Sequence, residues 1–409
     1  MTALDLDFVR AQFPAFASPV LSSHAFFENA GGSYPCRQVV ERLTRFYTDR
    51  KVQPYGPYPG AQAGGAEMDE ARARLAAMMG VRAAQVSFGP STSANTYVLA
   101  QGVRGWLRGQ KAAVVVTNQD HEANSGVWRR LADEGVEIRE WRIDPSTGSL
   151  NPDDLRTLLA DGRVRLVCFP HCSNIIAEIN DVAEISGIAR EAGARTVVDG
   201  VSYAPHGFPD FNALGCDVYL FSAYKTYGPH QGIMILDESF GMELPGQGHF
   251  FNQDALYKRH TPAGPDHAQV AACAGMADYI DALAAHHGLG GDPLARNQGV
   301  HELMRAQETA VIRPLLDYLA ARNDLRLIGP RTAERRAPTV AVELPGAAEP
   351  VSEELGRRGI ACWAGDFYAV RPLDALGVPR DKGVLRLSAV HYTSAEEVVR
   401  LIAALDAVL

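Results

Sequence analysis

Five lysines are available to any reaction that needs a primary amine, and one of them differs from the rest. Lys225 follows an apolar run, 217–221, while the other four stand among polar or charged neighbours: Lys51, Lys111, Lys258 and Lys382. An ammonium group beside a buried strand is costly unless its charge is dispersed or removed. Lysine amines in such surroundings form Schiff bases with carbonyl compounds. Lys225 is therefore the candidate catalytic amine.

Other apolar runs end in polar residues that could bind a ligand. These residues are Ser91-Thr92-Ser93, His121, Ser173-Asn174 and Asp199. Where strands alternate with helices, ligands sit at the carboxyl ends of the strands. We therefore expect these residues and Lys225 to meet at one site.

Together these residue types suit pyridoxal 5′-phosphate. Ser91, Thr92 and Ser93 would supply hydroxyls and N–H groups for the phosphate at a helix N-terminus. A carboxylate such as Asp199 keeps the pyridine nitrogen protonated, which makes the ring an electron sink. His121 would stack on the ring and move protons. An amide at Asn174 is placed to donate to the phenolate oxygen.

Each of these residues also has a plainer role. The serines and threonine could form only a helix N-cap, Asp199 could be a cap or a turn carboxylate, and His121 a core histidine. The separation of 26 residues between Asp199 and Lys225 favours cofactor pairing. His171 and Cys172 are adjacent, but nothing around them supplies tetrahedral spacing, so no metal site is expected.

Seven short motifs resemble those of the class V aminotransferase family, and within it the cysteine-desulfurase-like branch. In chain order they are Phe27-Glu-Asn-Ala-Gly, Ser91-Thr-Ser, Asp120-His121, His171-Cys-Ser-Asn174, Val198-Asp199-Gly, Ser222-Ala-Tyr-Lys225 and Arg386-Leu-Ser. They extend over nearly the whole chain. Each motif is weak alone, but seven in the family's order are a strong signal.

The resemblance implies a homodimeric pyridoxal-phosphate enzyme that acts on an amino acid at sites shared between subunits. It implies that Lys225 carries the cofactor, with His121 as a second catalytic residue. The cofactor contacts implied in addition to those above are Ser202, Ser222 and Gly264. Ser202 stands where desulfurases usually carry glutamine, and Gly264 lies in a loop expected to reach the partner's cofactor phosphate.

The same resemblance implies which residues bind the substrate. Arg386 is expected to hold the substrate carboxylate, because a guanidinium group binds a carboxylate with two parallel hydrogen bonds. The remaining residues expected on the substrate side are Asn29, Ala30, Trp363 and Tyr368.

One loop departs from the desulfurase pattern. Desulfurases place a catalytic cysteine shortly before the carboxylate arginine, and here Tyr368 stands at that position. Tyrosine cannot carry a persulfide, and Cys362 is expected to be a core residue. We therefore expect a subfamily without the persulfide cysteine, with C–S lyase or desulfurase-like β-elimination ranked slightly above transamination. A third hypothesis is a dimeric cofactor-binding partner without turnover.

The elements that must position these residues alternate between strand and helix in the first half of the chain. This pattern predicts an α/β fold with a mostly parallel sheet. The resemblance implies the pyridoxal-phosphate transferase fold type I, with seven strands in that sheet and a small α+β domain. We expect a large cofactor domain at 19–290 and a small domain formed by 1–18 and 291–409. A long helix is predicted from His267 to about His286, and a capping box at Thr393 and Glu396.

Composition excludes several functional classes. With 39 Lys+Arg against 48 Asp+Glu, the net charge of −9 argues against nucleic-acid binding. No apolar run approaches the ~20 residues of a membrane helix, and the N-terminus lacks the features of a signal peptide. The six cysteines form no C-x-x-C pair and are expected to be reduced thiols. We therefore expect a cytoplasmic protein that binds neither nucleic acid nor membrane.

Overall fold

A computed structural model describes residues 3–409, which form three β-sheets covered by helices. The strands, β1 to β13 in chain order, are Ala25–Phe26, Val86–Gly89, Ala113–Thr117, Glu137–Trp141, Val164–Pro170, Arg195–Asp199, Val218–Ser222, Gly232–Leu236, Arg326–Ile328, Thr339–Glu343, Ile360–Ala361, Trp363–Gly365 and Val384–Ser388. The helices, α1 to α16, are Leu6–Ala11, Arg37–Arg45, Pro59–Met78, Thr92–Trp106, Glu122–Arg129, Pro152–Leu159, Val182–Glu191, Phe211–Leu214, Glu238–Glu243, Leu256–Arg259, His267–Ala272, Ala274–His286, Pro293–Ala320, Glu349–Arg357, Val370–Ala375 and Ala395–Val408.

The large sheet has seven strands in the order β2-β8-β7-β6-β5-β3-β4. Only β8 runs antiparallel to its neighbours. Every residue of β3, β7 and β8 is buried, because helices cover both faces of the sheet. The predicted α/β fold with a mostly parallel seven-stranded sheet is confirmed.

The parallel strands deliver the predicted polar residues to one edge of this sheet. Strand β6 ends at Asp199, and its neighbours β5 and β7 end just before Asn174 and Lys225. Strand β3 ends at Thr117, just before His121. Because parallel strands share one carboxyl edge, residues far apart in sequence meet there.

The second sheet carries the residues of the C-terminal part. Its antiparallel order is β12-β13-β10-β9, and Arg386 in the middle of β13 pairs with Trp363 and Ala341. Helix α13 contributes Val300 and Met304 to the core of the large sheet, and Leu315 to the core of the second sheet. The domain boundary near residue 290 stays a prediction, because this helix belongs to both cores.

Two local predictions were wrong in their details. The capping box is formed by Ser394 and Glu397, one residue later than predicted, while the Thr393 hydroxyl accepts from the Val390 N–H. Adjacent Thr-Ser and Glu-Glu pairs allow both registers, and only the tertiary structure selects one. The predicted long helix is divided at Cys273 into α11 and α12.

Within residues 3–409, none of the helices combines the length and the apolar character needed to cross a bilayer.

Candidate active site

A pocket of about 620 Å3, including its open mouth, lies at the carboxyl edge of the large sheet. Nine of the residues predicted to bind the cofactor line it: Ser91, Thr92, Ser93, His121, Asn174, Asp199, Ser202, Ser222 and Lys225. The structure therefore brings together all the predicted cofactor residues except Gly264. Gly264 is exposed and lies in a separate groove beside His260.

Lys225 is half-buried at the end of a short turn that follows β7. Burial, followed by the charge of Arg386, lowers the pKa of its amine to about 8, although Asp199 and Glu28 act in the opposite direction. About a tenth of the amine is therefore uncharged at pH 7, far more than for an ordinary lysine with a pKa of 10.5. The uncharged amine is the form that attacks a carbonyl group.

Asp199 is a buried carboxylate with one oxygen engaged. Its Oδ1 accepts from the Val201 N–H at 2.8 Å, and within residues 3–409 no hydrogen bond uses its Oδ2. Burial raises the pKa of Asp199 to about 6, while the Val201 hydrogen bond and the charge of Lys225 oppose that shift. The second oxygen can therefore pair with a protonated ring nitrogen.

His121 serves as the N-cap of α5. Its Nδ1 accepts from the Ala123 N–H at 3.1 Å, so the proton of the neutral ring is on Nε2. Burial, followed by the charges of Lys225 and Arg386, lowers the pKa of His121 to about 4. The ring is therefore neutral across the physiological range, and its proton donor is the nitrogen that does not cap the helix.

The N-terminus of α4 forms a set of hydroxyl and N–H donors. Ser91 caps the helix by accepting from the Ala94 N–H, and the Thr92 and Ser222 hydroxyls lie 2.7 Å apart. A Cβ atom at Gly232 would lie 2.3 Å from the Ser91 carbonyl carbon, so only glycine permits this close approach. The N-terminus of a 15-residue helix with two adjacent hydroxyls suits a phosphate group.

The side-chain amide of Asn174 completes the fit to pyridoxal phosphate. Its Nδ2 donates to the Phe367 carbonyl at 3.0 Å, but its buried Oδ1 has no hydrogen-bond partner. A buried acceptor without a partner is costly, and a protonated ring hydroxyl at this place would satisfy it. This is the reverse of the predicted direction, in which the amide donates to the phenolate oxygen. The pocket therefore offers an amine, a carboxylate, a phosphate cradle and a partner for the phenol oxygen.

Arg386 lies close to the pocket but does not line it. The side chain is buried, its Nη2 donates to Glu28 Oε1 at 2.7 Å, and the Phe367 ring covers it at 3.8 Å. The role of Arg386 as the carboxylate-binding residue stays a prediction. It requires that Glu28 and the Phe367 ring move away from the guanidinium group.

The other predicted substrate residues are distributed around the pocket. Asn29 and Ala30 border a smaller cavity beside Lys225, and the Asn29 amide is already bonded to the carbonyls of Phe26 and Ser388 and to the Tyr392 hydroxyl. The Tyr368 ring centre lies 5.5 Å from that of His121. The side chains of Tyr368 and Trp363 are 73% and 64% exposed. Their roles in substrate binding stay predictions.

Four residues around the site received no role from the sequence. Tyr224 lines the pocket and stacks on His230, with ring centres 4.9 Å apart. Its position directly before Lys225 was a signal that could have been used. Glu28 stands in the first family motif and Phe367 beside Tyr368, but neither sequence position indicates contact with Arg386.

The six cysteines are all free thiols, and none of them is exposed. Cys172 is the one that lines the pocket, and burial raises the pKa of its thiol to about 12. Cys362 is half-buried, and burial, followed by the charge of Glu28, raises the pKa of its thiol to about 12. Reactive thiols require a lowered pKa and exposure, so these cysteines are poor sulfur acceptors.

Comparisons with known proteins agree with this geometry. The family model described as aminotransferase class-V matches residues 25–260 and 269–401. The aminotransferase-like protein FGM3 of Gibberella zeae is 31% identical over 422 residues, which cover 100% of this chain and 99% of FGM3.

Two further proteins extend the comparison to cysteine desulfurases. A probable cysteine desulfurase of Pseudomonas aeruginosa is 31% identical over 406 residues, which cover 97% of this chain and 96% of that protein. The apo structure of a cysteine desulfurase from Thermococcus onnurineus superposes with a TM-score of 0.85 at 22% identity, covering 100% of this chain and 99% of the other. At that identity the likeness establishes the fold alone.

Proposed function

The chain belongs to the aminotransferase class-V family, a family of pyridoxal-phosphate-dependent enzymes, and from this premise we propose that it cleaves the C–S bond of a cysteine-derived amino acid by β-elimination, without a persulfide cysteine. One observation carries this proposal. The pocket contains Lys225, whose amine is partly uncharged, but, among the described residues, none suited to accept sulfur. Tyr368 stands at the exposed loop position expected to hold the sulfur acceptor of desulfurases, and every cysteine is buried or half-buried.

Pyridoxal phosphate supplies an aldehyde that captures an amine and a ring that withdraws electrons from the bond broken at the α-carbon. Lys225 would hold the aldehyde and Asp199 the pyridine nitrogen. Asn174 and Ser202 would contact the phenol oxygen. The phosphate would lie among the hydroxyls of Ser91, Thr92, Ser93 and Ser222. The geometry of the pocket supports these assignments.

Side chains of this protein can carry out the proton transfers that the reaction requires. Uncharged Lys225 Nζ would accept the proton of the substrate α-carbon, and the resulting ammonium can return a proton to the departing sulfur. His121, with its proton on Nε2, would form one wall of the pocket and donate a second hydrogen bond. With cysteine as substrate, one water is consumed and pyruvate, ammonia and hydrogen sulfide are released.

The second candidate function is transamination. It is favoured by the likeness to the aminotransferase-like protein FGM3, which covers the full length of both chains. The same lysine, aspartate and histidine would serve either outcome, so the pocket residues alone do not separate the two reactions. The family relationship supports an enzyme and so disfavours the third hypothesis, a partner without turnover.

A homodimer with shared sites is also part of the proposal. Gly264 lies outside the pocket of its own chain, as it would if its loop served the partner's cofactor phosphate. Phe250 and Phe251 in the same region are 87% and 70% exposed, which is unusual for large apolar side chains and suits an interface. Light scattering tests the dimer directly, and a monomer with full activity would contradict it.

Product analysis tests the reaction. The cofactor-loaded protein is mixed with L-cysteine, L-cystine and S-alkyl cysteines. We expect pyruvate from each, together with sulfide from cysteine, thiocysteine from cystine and a thiol from the S-alkyl cysteines. Lys225→Ala should abolish turnover, whereas Lys258→Ala should retain it. Release of L-alanine with sulfur bound to the protein would indicate a persulfide mechanism. Amino transfer to 2-oxo acids without any C–S cleavage would favour the second candidate.

A further inference from the structure

Glu28 places its carboxylate on the arginine that is expected to bind the substrate carboxylate. Its Oε1 accepts from Arg386 Nη2 at 2.7 Å, with side-chain exposures of 17% for Glu28 and 4% for Arg386. Glu28 lies just after β1, beside β13, where it forms a bridge with Ser388. The contact therefore joins the segment after β1 to the middle of β13 inside the protein and is not a surface ion pair.

This ion pair is incomplete. Glu28 Oε2 and Arg386 Nε are both buried, and neither has a hydrogen-bond partner. Guanidinium and carboxylate groups normally bind each other through two parallel bonds, and this pair makes one. The Phe367 ring covers one face of the Arg386 guanidinium group, with its centre 3.8 Å from Cζ. The unused donor and acceptor indicate that Glu28 is an imperfect substitute for another carboxylate.

The space for the Glu28 side chain depends on a glycine. A Cβ atom added at Gly31 would lie 2.4 Å from Glu28 Oε1, which is too close for any real contact. Gly31 does not have a positive φ, so its backbone conformation does not require glycine. Gly31 is therefore needed for space, and it permits the carboxylate to fold back onto Arg386.

We propose that Glu28 is a specificity-determining residue: it is an internal carboxylate that occupies the carboxylate subsite of Arg386 and must be displaced by the carboxylate of an incoming amino acid. The proposal rests on the proposed function, because it assumes that Arg386 binds the substrate. Binding then exchanges one carboxylate for another, so the substrate carboxylate contributes little net affinity. The amine and the side chain of the substrate must supply the rest, which favours cysteine conjugates with a sizeable substituent.

The first experiment compares a ligand pair that differs only in the carboxylate. L-Alanine and L-alaninamide are titrated into the cofactor-loaded protein, and binding is followed by the cofactor absorbance. In the wild type the two dissociation constants should be similar. In Glu28→Gln the preference for L-alanine should increase about tenfold, because Arg386 is released to bind it. Glu397→Gln, at the Arg10–Glu397 pair remote from the pocket, is the matched control and should leave the ratio unchanged.

A second set of variants covers the case in which Glu28→Gln does not fold. Gly31→Ala keeps every charge but expels the Glu28 carboxylate, and it should raise the same ratio. Gly32→Ala is the matched control, because its nearest contact would be an ordinary 3.4 Å to Tyr224. An unchanged ratio in both Glu28→Gln and Gly31→Ala would overturn the proposal. Equal weakening of both ligands in Glu28→Gln would also overturn it, since Glu28 would then contact the substrate itself.

A third measurement does not depend on the cofactor or on turnover. In apoprotein carrying Glu28→Ala, acetate should refill the vacated subsite and raise the melting temperature, while acetamide and wild-type protein should show no such effect. Absence of any acetate effect would contradict an occupied carboxylate subsite. If acetate refills the subsite but Lys225 does not capture the cofactor, the proposed function fails and the carboxylate subsite stands. If amino acids bind through the cofactor but the alanine ratio never changes, only the role of Glu28 fails.

Discussion

The side-chain amide of Asn174 donates a 3.0 Å hydrogen bond to the backbone carbonyl of Phe367, which joins the cofactor pocket to the loop between β12 and α15. Phe367 and Tyr368 both have left-handed backbone conformations, with φ of 53° and 56°. Such conformations are strained in residues other than glycine. The Glu122 N–H provides a second anchor by donating to the Tyr368 carbonyl at 2.8 Å. These two bonds hold a strained loop where Phe367 covers Arg386.

The strain at Tyr368 can be measured by comparing glycine with alanine. Tyr368→Gly should be more stable than Tyr368→Ala by about 1 kcal/mol, because glycine accepts a positive φ without steric cost. Tyr97, exposed in the interior of α4, is the matched control. There glycine should be less stable than alanine by about 1 kcal/mol. Denaturant unfolding of the four variants checks both signs, and equal values for the pair at 368 would show that the loop is unstrained.

The lowered pKa of Lys225 predicts how cofactor capture depends on pH. The rate at which apoprotein binds pyridoxal phosphate should rise with pH and level off above a midpoint near 8, compared with the ordinary lysine value of 10.5. Arg386→Gln should move this midpoint to higher pH, because the positive charge of Arg386 contributes to the shift. A midpoint that stays at 8 in this variant would assign the shift to burial alone.

The same shift predicts the stability of the apoprotein. Since the folded state loses the Lys225 proton near pH 8 and the unfolded state near 10.5, the unfolded state binds more protons between these values. The free energy of unfolding should therefore increase with pH across that window and should not change below it through this group. Lys225→Met removes the effect, and thermal unfolding at several pH values measures it. An identical pH dependence in wild type and variant would contradict the shift.

His121 has two functions in the structure that can be separated by substitution. Asparagine should keep the N-cap of α5 but lose the aromatic face, whereas phenylalanine should keep the face and lose the cap. His121→Phe should therefore lower the stability of the apoprotein by about 1 kcal/mol, and His121→Asn should leave it nearly unchanged. Cofactor affinity should fall mainly in His121→Asn. The reverse order of cofactor affinities would remove the stacking role.

Tyr368 is exposed, and the resemblance to desulfurases predicts that it stands at the position of their sulfur acceptor. Tyr368→Cys should therefore place an accessible thiol near the pocket and gain one sulfur atom on incubation with L-cysteine, detected as a mass increase of the intact protein. Neither side chain lines the pocket, but the Tyr368 ring lies 5.5 Å from that of the pocket residue His121. Trp363→Cys, at a position exposed to a similar degree, is the control and should remain unmodified. Modification of both variants would indicate nonspecific sulfur transfer from polysulfide, which forms when released sulfide is oxidised by dissolved oxygen.

Much of the cofactor site could be predicted because it depends on strand ends. Apolar runs followed by Asp199 or Lys225 are visible in the sequence, and a parallel sheet brings such ends together without further information. The contacts of Glu28 and Phe367 with Arg386 could not be predicted in this way. Glu28 and Arg386 are 358 residues apart, and their contact depends on the space left by Gly31. The Phe367 ring reaches Arg386 from a residue with a left-handed backbone conformation.

The capping box shows the same limit on a smaller scale. Thr393-Ser394 and Glu396-Glu397 each offer a capping pair with the required spacing, and local sequence does not distinguish them. The Thr393 hydroxyl accepts from the Val390 N–H, and that contact leaves Ser394 to cap the helix. Competition between equivalent local partners is decided by the surrounding chain.

Helix α13 also determines which motions can open the site. Because this helix packs into the hydrophobic cores of both sheets, a large hinge movement between the sheets would have to break its packing against one of the two cores. Opening of the Arg386 subsite is therefore expected to be a local event, in which the side chains of Glu28 and Phe367 swing aside over distances of a few ångströms within an otherwise fixed frame. Ligand entry would then leave the overall dimensions of the protein in solution almost unchanged.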